Sequence, residues 1–338
     1  MPKKARIESR YARQILLKEW DQQKIRNGKV FIAGMGALGC VVAQNLVLMG
    51  IGKLIICDFD TIEKSNLSRQ MLFLESDINM PKSTVAKNRL IKLNPDIDIL
   101  AFNKKIQEIS PKIYEECDVI VDGLDTFEAR RWLNSISIDK KKPLVHGGMY
   151  GWLGNVQVVI PFKTACLDCQ PLLPQERLQK PCTPPGKKRK KTKRVKKAPK
   201  IPSLLTISTI IGGIQAQEVI KLLLGVEKVL DRFLFYDGLS QTFTLMKLNR
   251  NPNCIVCGKN RISGVNFAVD PQDTIRDLKN RLIMIWDIKD PMKVIVKGVI
   301  RNDNVQLSKI GIQNKEPILI INKEMAKPLK IYAIIQEK

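Results

Sequence analysis

The chain reads as an α/β protein: a doubly wound, Rossmann-like sheet followed by a small β-grasp-like module. Three observations predict this. Residues 29–60, KVFIAGMGALGCVVAQNLVLMGIGKLIICDFD, pass from a β-rich apolar run through a glycine turn into an amphipathic stretch, then into a second apolar run ending in acid, which is a β-α-β unit. Further apolar runs alternate with helical stretches up to Gly258. Beyond Gly258 the pattern changes to short β-type runs around a single helix.

The first unit carries a ligand signal. Gly34, Gly36 and Gly39 fall as G-x-G-x-x-G between strand and helix, where bare backbone lets a phosphate reach the positive helix N-terminus. Asp58, at the end of the next strand, is placed to accept hydrogen bonds from ribose hydroxyls. A nucleotide is therefore expected. Alone, this motif favours a dinucleotide oxidoreductase, but the single histidine, His146, stands among Pro143, Leu144, Val145 and Gly147 at a strand end and reads as structural. Past Asp58, DFDTIEKSNLSRQ packs Asn66, Arg69 and Gln70 into a turn, and MPKSTVAKNRL opens a helix at Lys82. An arginine fork and a lysine point charge suit a triphosphate, since both offset charge building on a phosphate under attack.

Strands are expected at 118–121, 143–145 and 155–160, with helices at 83–93 and 126–136. Residues 203–225 form the most apolar stretch. Gln215, Gln217, Glu218 and Lys221 would be costly in hydrocarbon, so it reads as a buried helix rather than a membrane span. After Gly258, strands are expected at 265–269, 293–299, 318–321 and 330–335, with a helix at 274–286. No internal repeat occurs.

Composition narrows the setting. At 338 residues with 44% hydrophobic content, two globular domains are expected. MPKKARIESRYARQ lacks the apolar core of an export signal, so a cytoplasmic location is expected. The eight cysteines should then be reduced thiols or metal ligands. Cys166 and Cys169, with Cys254 and Cys257, make two C-x2-C pairs that suit a structural Zn²⁺ joining distant parts of one domain; two unrelated pairs of buried thiols are the alternative. The net charge of +24 invites a nucleic-acid reading. However, ten of the cations lie in residues 187–200, and the remaining charge is scattered without an obvious stripe, so a solvated tract is preferred and nucleic acid is not the expected partner.

The pieces RYARQILL, GMGALG, DFDTIEKSNLSRQ, PKSTVAKNRL, DGLDTFEARRWLN, CLDC, PCT and NPNCIVCG together resemble the E1 activating-enzyme superfamily, which includes ThiF/MoeB sulfur-carrier adenylyltransferases and activators of ubiquitin-like modifiers. The resemblance covers roughly residues 8–258 and implies attack of a carrier's C-terminal glycine carboxylate on the α-phosphate of ATP. It also implies the roles. Asp58 would hold the ribose; Asn66, Arg69, Gln70 and Lys82 would line the phosphates beside Gly34, Gly36, Ala37 and Gly39; Asp125 would hold Mg²⁺. Arg13 resembles the arginine that crosses a dimer interface into the neighbour's site, so a homodimer is expected. Ala37 stands where glycine is common, which is sterically minor. Thr126 stands where asparagine is frequent, which puts a direct contact from that position in doubt.

Cys182, in PCT, matches the position from which thioester-forming members offer their nucleophile, and the basic tract after it reads as an enlarged, leash-like crossover loop of about residues 180–202. No cysteine follows Cys257 in this sequence, so residues 261–338 are not expected to be a rhodanese domain. Residues 264–335 instead resemble the ubiquitin-fold domain that recruits an E2 conjugating enzyme. The expected whole is an archaeal-type activator of a ubiquitin-like modifier, with an adenylation domain at 1–258 and an E2-recruiting module at 261–338. The rival readings are a ThiF/MoeB-type adenylyltransferase, a basic nucleic-acid-binding module and an NAD-dependent oxidoreductase.

Overall fold

The structure is a computed structural model that describes residues 10–169, 202–254, 256–259, 265–286, 291–322 and 329–335. Cys182 and the basic tract 187–200 lie outside the described residues. Strands β1 (Lys29–Ala33), β2 (Lys53–Cys57), β3 (Asp98–Phe102), β4 (Val119–Asp122), β5 (Leu144–Tyr150), β6 (Leu153–Val159), β7 (Phe233–Asp237) and β8 (Thr242–Met246) form one sheet. Its order is β3-β2-β1-β4-β5-β6-β7-β8, parallel from β3 to β5 and antiparallel from there to β8. β1, β2 and β4 read as unbroken apolar runs because helices cover both their faces.

Helices α1 (Gln22–Asn27), α2 (Ala37–Leu48) and α3 (Lys82–Leu93) precede α4 (Pro111–Glu116) and α5 (Phe127–Asp139), and α6 (Leu205–Leu224) follows β6. One core joins α2, α3 and α6 to one face of the sheet; the other joins Tyr114, Leu133, Ile136 and the four paired cysteines to the opposite face. The stretch expected at 203–225 is α6. It is long and apolar enough to span a bilayer, yet it lies against α2, β5 and β6, with Gly212 letting Val41 approach within 2.8 Å of where a β-carbon would stand. Gln215 and Glu218 are spent inside the fold, while Gln217 is exposed. Gln215 Nε2 donates to Asp122 O (3.0 Å) and Val145 O (3.2 Å), while Glu218 accepts the Leu230 amide and pairs with Lys221. The left-handed Gly225 (φ 74°) ends the helix.

β5 runs on to Tyr150, past the expected 143–145, because Gly147 and Gly148 admit side chains at close range: a β-carbon would stand 2.4 Å from Gln215 at the first and 2.7 Å from Asn155 at the second. That extension seats the antiparallel half of the sheet.

The second sheet contains β9 (Val265–Val269), β10 (Met292–Val296), β11 (Val299–Ile300), β12 (Glu316–Asn322) and β13 (Leu329–Ile335) in the order β11-β10-β12-β13-β9. Helix α7 (Ile275–Trp286) lays Ile275, Leu278 and Leu282 into its core with Val294, Ile318 and Ile331, and α8 (Leu307–Ile310) joins β11 to β12. This is the β-grasp-like arrangement expected. The run at 293–299 is divided: Lys297 (φ 54°) and Gly298 (φ 75°) turn it into the β10–β11 hairpin.

Glu316 is buried in this module, and burial pushes its carboxyl up to about 7 despite Lys297 nearby. A carboxyl raised on folding stabilises below its unfolded pKa, and that contribution disappears as pH rises through the folded value. Glu316→Gln is therefore expected to raise stability at pH 8 by about 1–3 kcal/mol and to change nothing at pH 4, checked by denaturant melts at both pH values.

Candidate nucleotide site and metal centre

The glycine turn is built on close backbone approach. Gly34 takes φ +89°, and a β-carbon there would stand 2.8 Å from Gly123 O; one on Gly39 would stand 1.9 Å from Gly34 O. Gly36 caps α2 with no side-chain hydrogen bond, so the first N–H groups of the helix stay available to an anion. Ala37 takes the first helical position and is buried there, so a methyl in place of glycine is accommodated.

Asp58 is buried at the end of β2 and ties the turn to the sheet. Its Oδ2 accepts from Met35 N at 2.6 Å and its Oδ1 from Asp60 N at 2.8 Å. Burial pushes its carboxyl up, and the Lys82 ammonium opposes that. Lys82 opens α3, with its backbone on Asp60 O (3.0 Å) and its buried Nζ 2.9 Å from Asp60 Oδ2. Among the described residues this ammonium pairs with one carboxylate, itself about half exposed, so a phosphate can compete for it.

Between Asp60 and Lys82 lies the long turn that the sequence placed there. Asn66 is buried, with Oδ1 accepting Glu63 N at 3.0 Å. Gln70 is buried too, and its Oε1 has no hydrogen-bond partner among the described residues. Arg69 turns its guanidinium onto Ser65 O at 2.6 Å, within its own turn. Asp125 is exposed in the loop before α5. Thr126, not Asp125, caps that helix, accepting from Ala129 N at 3.4 Å, so the side chain at 126 is used locally.

The glycine turn, Asp58, Lys82 and the 123–125 loop thus meet at the C-terminal ends of the parallel strands. Arg13 does not join them. Its segment is pinned to the far ends of α2 and α3 by Gln14 Nε2 to Met49 O (2.9 Å), Arg10 to Leu93 O (3.2 Å) and Asn94 Nδ2 to Tyr11 OH (2.8 Å). The 12 residues of α2 separate the two ends by about 18 Å.

A buried group beside the site was not singled out from the sequence. Asp122, fully buried, lies 2.6 Å from His146 Nδ1 and 3.7 Å from Arg130 Nε. Burial pushes its carboxyl up, but Arg130 and His146 outweigh that and hold it below the ordinary carboxylate range. Asp122 and Arg130 both stand in DGLDTFEARRWLN, but spacing alone does not say which of its two acids turns inward.

On the opposite face, Cys166 and Cys169 follow β6, and Cys254 and Cys257 follow β8. All four are buried, with sulfurs within 4.8 Å of one another; the closest separations are 3.3 Å (Cys169–Cys257), 3.7 Å (Cys166–Cys254) and 3.8 Å (Cys166–Cys169). A tetrahedral zinc with bonds of about 2.3 Å needs sulfurs about 3.8 Å apart, so the donor set fits. Asp168 orients the first knuckle, accepting from Arg131 Nε (2.6 Å) and Asn134 Nδ2 (2.8 Å) on α5. Bringing the two pairs together closes the chain across residues 170–253.

One pole of the doubly wound sheet thus brings together an uncapped helix N-terminus, the buried acid Asp58 and the buried Lys82, and its antiparallel half carries the four-thiol cluster. Residues 11–256 match the ThiF family, and the chain belongs to that family. It is 30% identical over 262 residues to the SAMP-activating enzyme E1 of Haloferax volcanii, covering 76% of this chain and 91% of that protein. It is 33% identical over 255 residues to the sulfur carrier protein ThiS adenylyltransferase of Escherichia coli, covering 74% and 94%. The crystal structure of E. coli MccB with ATP superposes with a TM-score of 0.61 at 25% identity, over 74% of each chain.

Proposed function

We propose that the chain activates a ubiquitin-like modifier. The modifier's C-terminal glycine carboxylate attacks the α-phosphorus of ATP, forming an acyl-adenylate and releasing pyrophosphate; the Cys182 thiolate then attacks the acyl carbon, forming a thioester and releasing AMP; the acyl group finally passes to an E2 enzyme. The observation that carries the reading is the meeting of Asp58, Lys82 and the N-terminus of α2, which no side chain caps, at one pole of a ThiF-family sheet.

In this reading Asp58 holds the ribose, the glycine turn with Lys82, Asn66, Arg69 and Gln70 receives the phosphates, and Asp125 holds the Mg²⁺ that neutralises them. One exposed carboxylate suits that ion, which takes few protein ligands and keeps substrate phosphates and waters. Arg13 acts in a second copy of the chain. Its distance from its own glycine turn supports this, as do the exposed Leu16 (78%) and Leu17 (58%) beside it and Phe59, Met71, Leu74 and Met80 around the phosphate turn. Residues 1–258 would form the adenylation unit and 261–338 the E2-recruiting unit, acting in the cytoplasm.

A second reading, a sulfur-carrier adenylyltransferase that stops at the adenylate, is favoured by the 33% identity to the ThiS enzyme. The module at 265–335, which lies beyond the 11–256 family match, favours the first. With Mg-ATP and a β-grasp carrier, Cys182→Ala is expected to keep pyrophosphate exchange and lose a thiol-sensitive adduct on a non-reducing gel. An adduct that survives the substitution moves the nucleophile elsewhere. A wild-type chain that exchanges pyrophosphate but forms no adduct favours the second reading.

A further inference from the structure

Four elements meet beneath the loop 123–126, and the hydrogen bonds there serve no nucleotide directly. Asp122 closes β4, and its Oδ1 accepts the Leu124 amide at 2.9 Å. Its Oδ2 lies 2.6 Å from His146 Nδ1 at the middle of β5. Because Asp122 is held ionised, that nitrogen carries the proton and donates it. Arg130, one turn into α5, donates Nε–H to Leu124 O at 3.0 Å and comes within 3.5 Å of Gly147 O. Gln215 of α6 takes the main-chain oxygen of Asp122. Both polar groups of Leu124 are thus claimed, the amide by Asp122 and the carbonyl by Arg130.

The other side of the loop has no slack. A β-carbon on Gly123 would stand 3.1 Å from Gly39 N and 3.2 Å from Gly34 O, so the loop lies directly on the glycine turn. Its next exposed side chain is Asp125.

We infer that His146 is a positioning residue: by donating to Asp122 it locks the 123–125 loop against the glycine turn and so sets where the Asp125 carboxylate stands. This rests on the reading of Asp125 as the magnesium-holding acid. Without the imidazole donor, Oδ2 of the buried Asp122 keeps, among the described residues, Arg130, 3.7 Å away. The carboxylate would then swing toward that cation and release the Leu124 amide. The loop would loosen while β1 and the glycine turn keep their places.

Two readouts test this, one of which needs no catalysis. In nucleotide-free protein, His146→Leu is expected to speed amide hydrogen exchange in a 123–126 peptide roughly 10- to 100-fold, with none of that change in β1. In pyrophosphate exchange the same variant is expected to need roughly tenfold more magnesium for half-maximal rate. Its KM for ATP at saturating magnesium should stay within about twofold of wild type. His146→Asn, whose side-chain amide can donate toward Asp122, should recover most of both. Unchanged loop exchange and magnesium demand in His146→Leu overturn the inference. So does an equal loss in both variants with a uniform fall in Tm, which marks a packing residue. Should His146→Leu fail to fold, His146→Ala, which also removes the imidazole donor, is read by the same loop exchange, and an unchanged rate overturns the inference. A wild-type chain that exchanges no pyrophosphate defeats the enzymatic reading alone, and amide exchange still decides the role of His146.

Discussion

Lys82→Ala is expected to lower pyrophosphate exchange by roughly 10²- to 10⁴-fold while the protein stays folded. The size of the effect follows from where the charge sits. A buried ammonium at the head of α3, beside an open helix N-terminus, meets little solvent screening, so it acts on phosphate charge more strongly than a surface lysine would. Its partner Asp60 is about half exposed and can be solvated when the lysine is gone, which limits the structural penalty. Lys82→Arg should rescue poorly, because a bulkier planar fork does not replace a compact charge in that space. Steady-state exchange rates with a melt on the same sample separate the two effects: a large fall in Tm with kcat/KM preserved would assign Lys82 to the fold instead.

The second large effect is expected from the thiol cluster. Removing the metal with a strong chelator, or introducing Cys257→Ser, should cost on the order of 5 kcal/mol, and elemental analysis of the intact protein should find about one zinc per chain. The cluster is part of the core under α5, packed with Phe162, Leu167, Leu248 and Val256, and it holds together segments that the chain separates by residues 170–253. Losing it frees the ends of β6 and β8 at once. A chain that purifies without zinc and melts at the same temperature with or without chelator would show two pairs of buried thiols and no staple.

Much of this was legible in the sequence, and for identifiable reasons. The β-α-β unit at 29–60 combines a period change with a glycine turn that needs close backbone contact, and the structure uses Gly34 and Gly39 in that way. Paired thiols announce themselves because few other arrangements explain two C-x2-C spacings. α6 was separable from a membrane span because Gln215 and Glu218 have work to do inside the fold. What was hidden depends on contacts across the sheet. Nothing local says that Asp122 rather than Asp125 turns inward, since that is decided by His146 and Arg130, which lie on β5 and α5. The length of β5 was hidden for a similar reason: glycines depress strand propensity, yet here they make room for Gln215 and Asn155. The position of Arg13 at the wrong end of α2 for its own site also needed the packing of Tyr11 and Gln14 to be seen.

The central claim is that Lys82 of one copy and Arg13 of another complete a single adenylation site. Mixing separately inactive Arg13→Ala and Lys82→Ala proteins tests it most directly. If the subunits reassort, about a quarter of the sites carry neither lesion, and pyrophosphate exchange should return to about that fraction of wild type. Mixed dimers, verified by mass, that remain as inactive as either parent would contradict it.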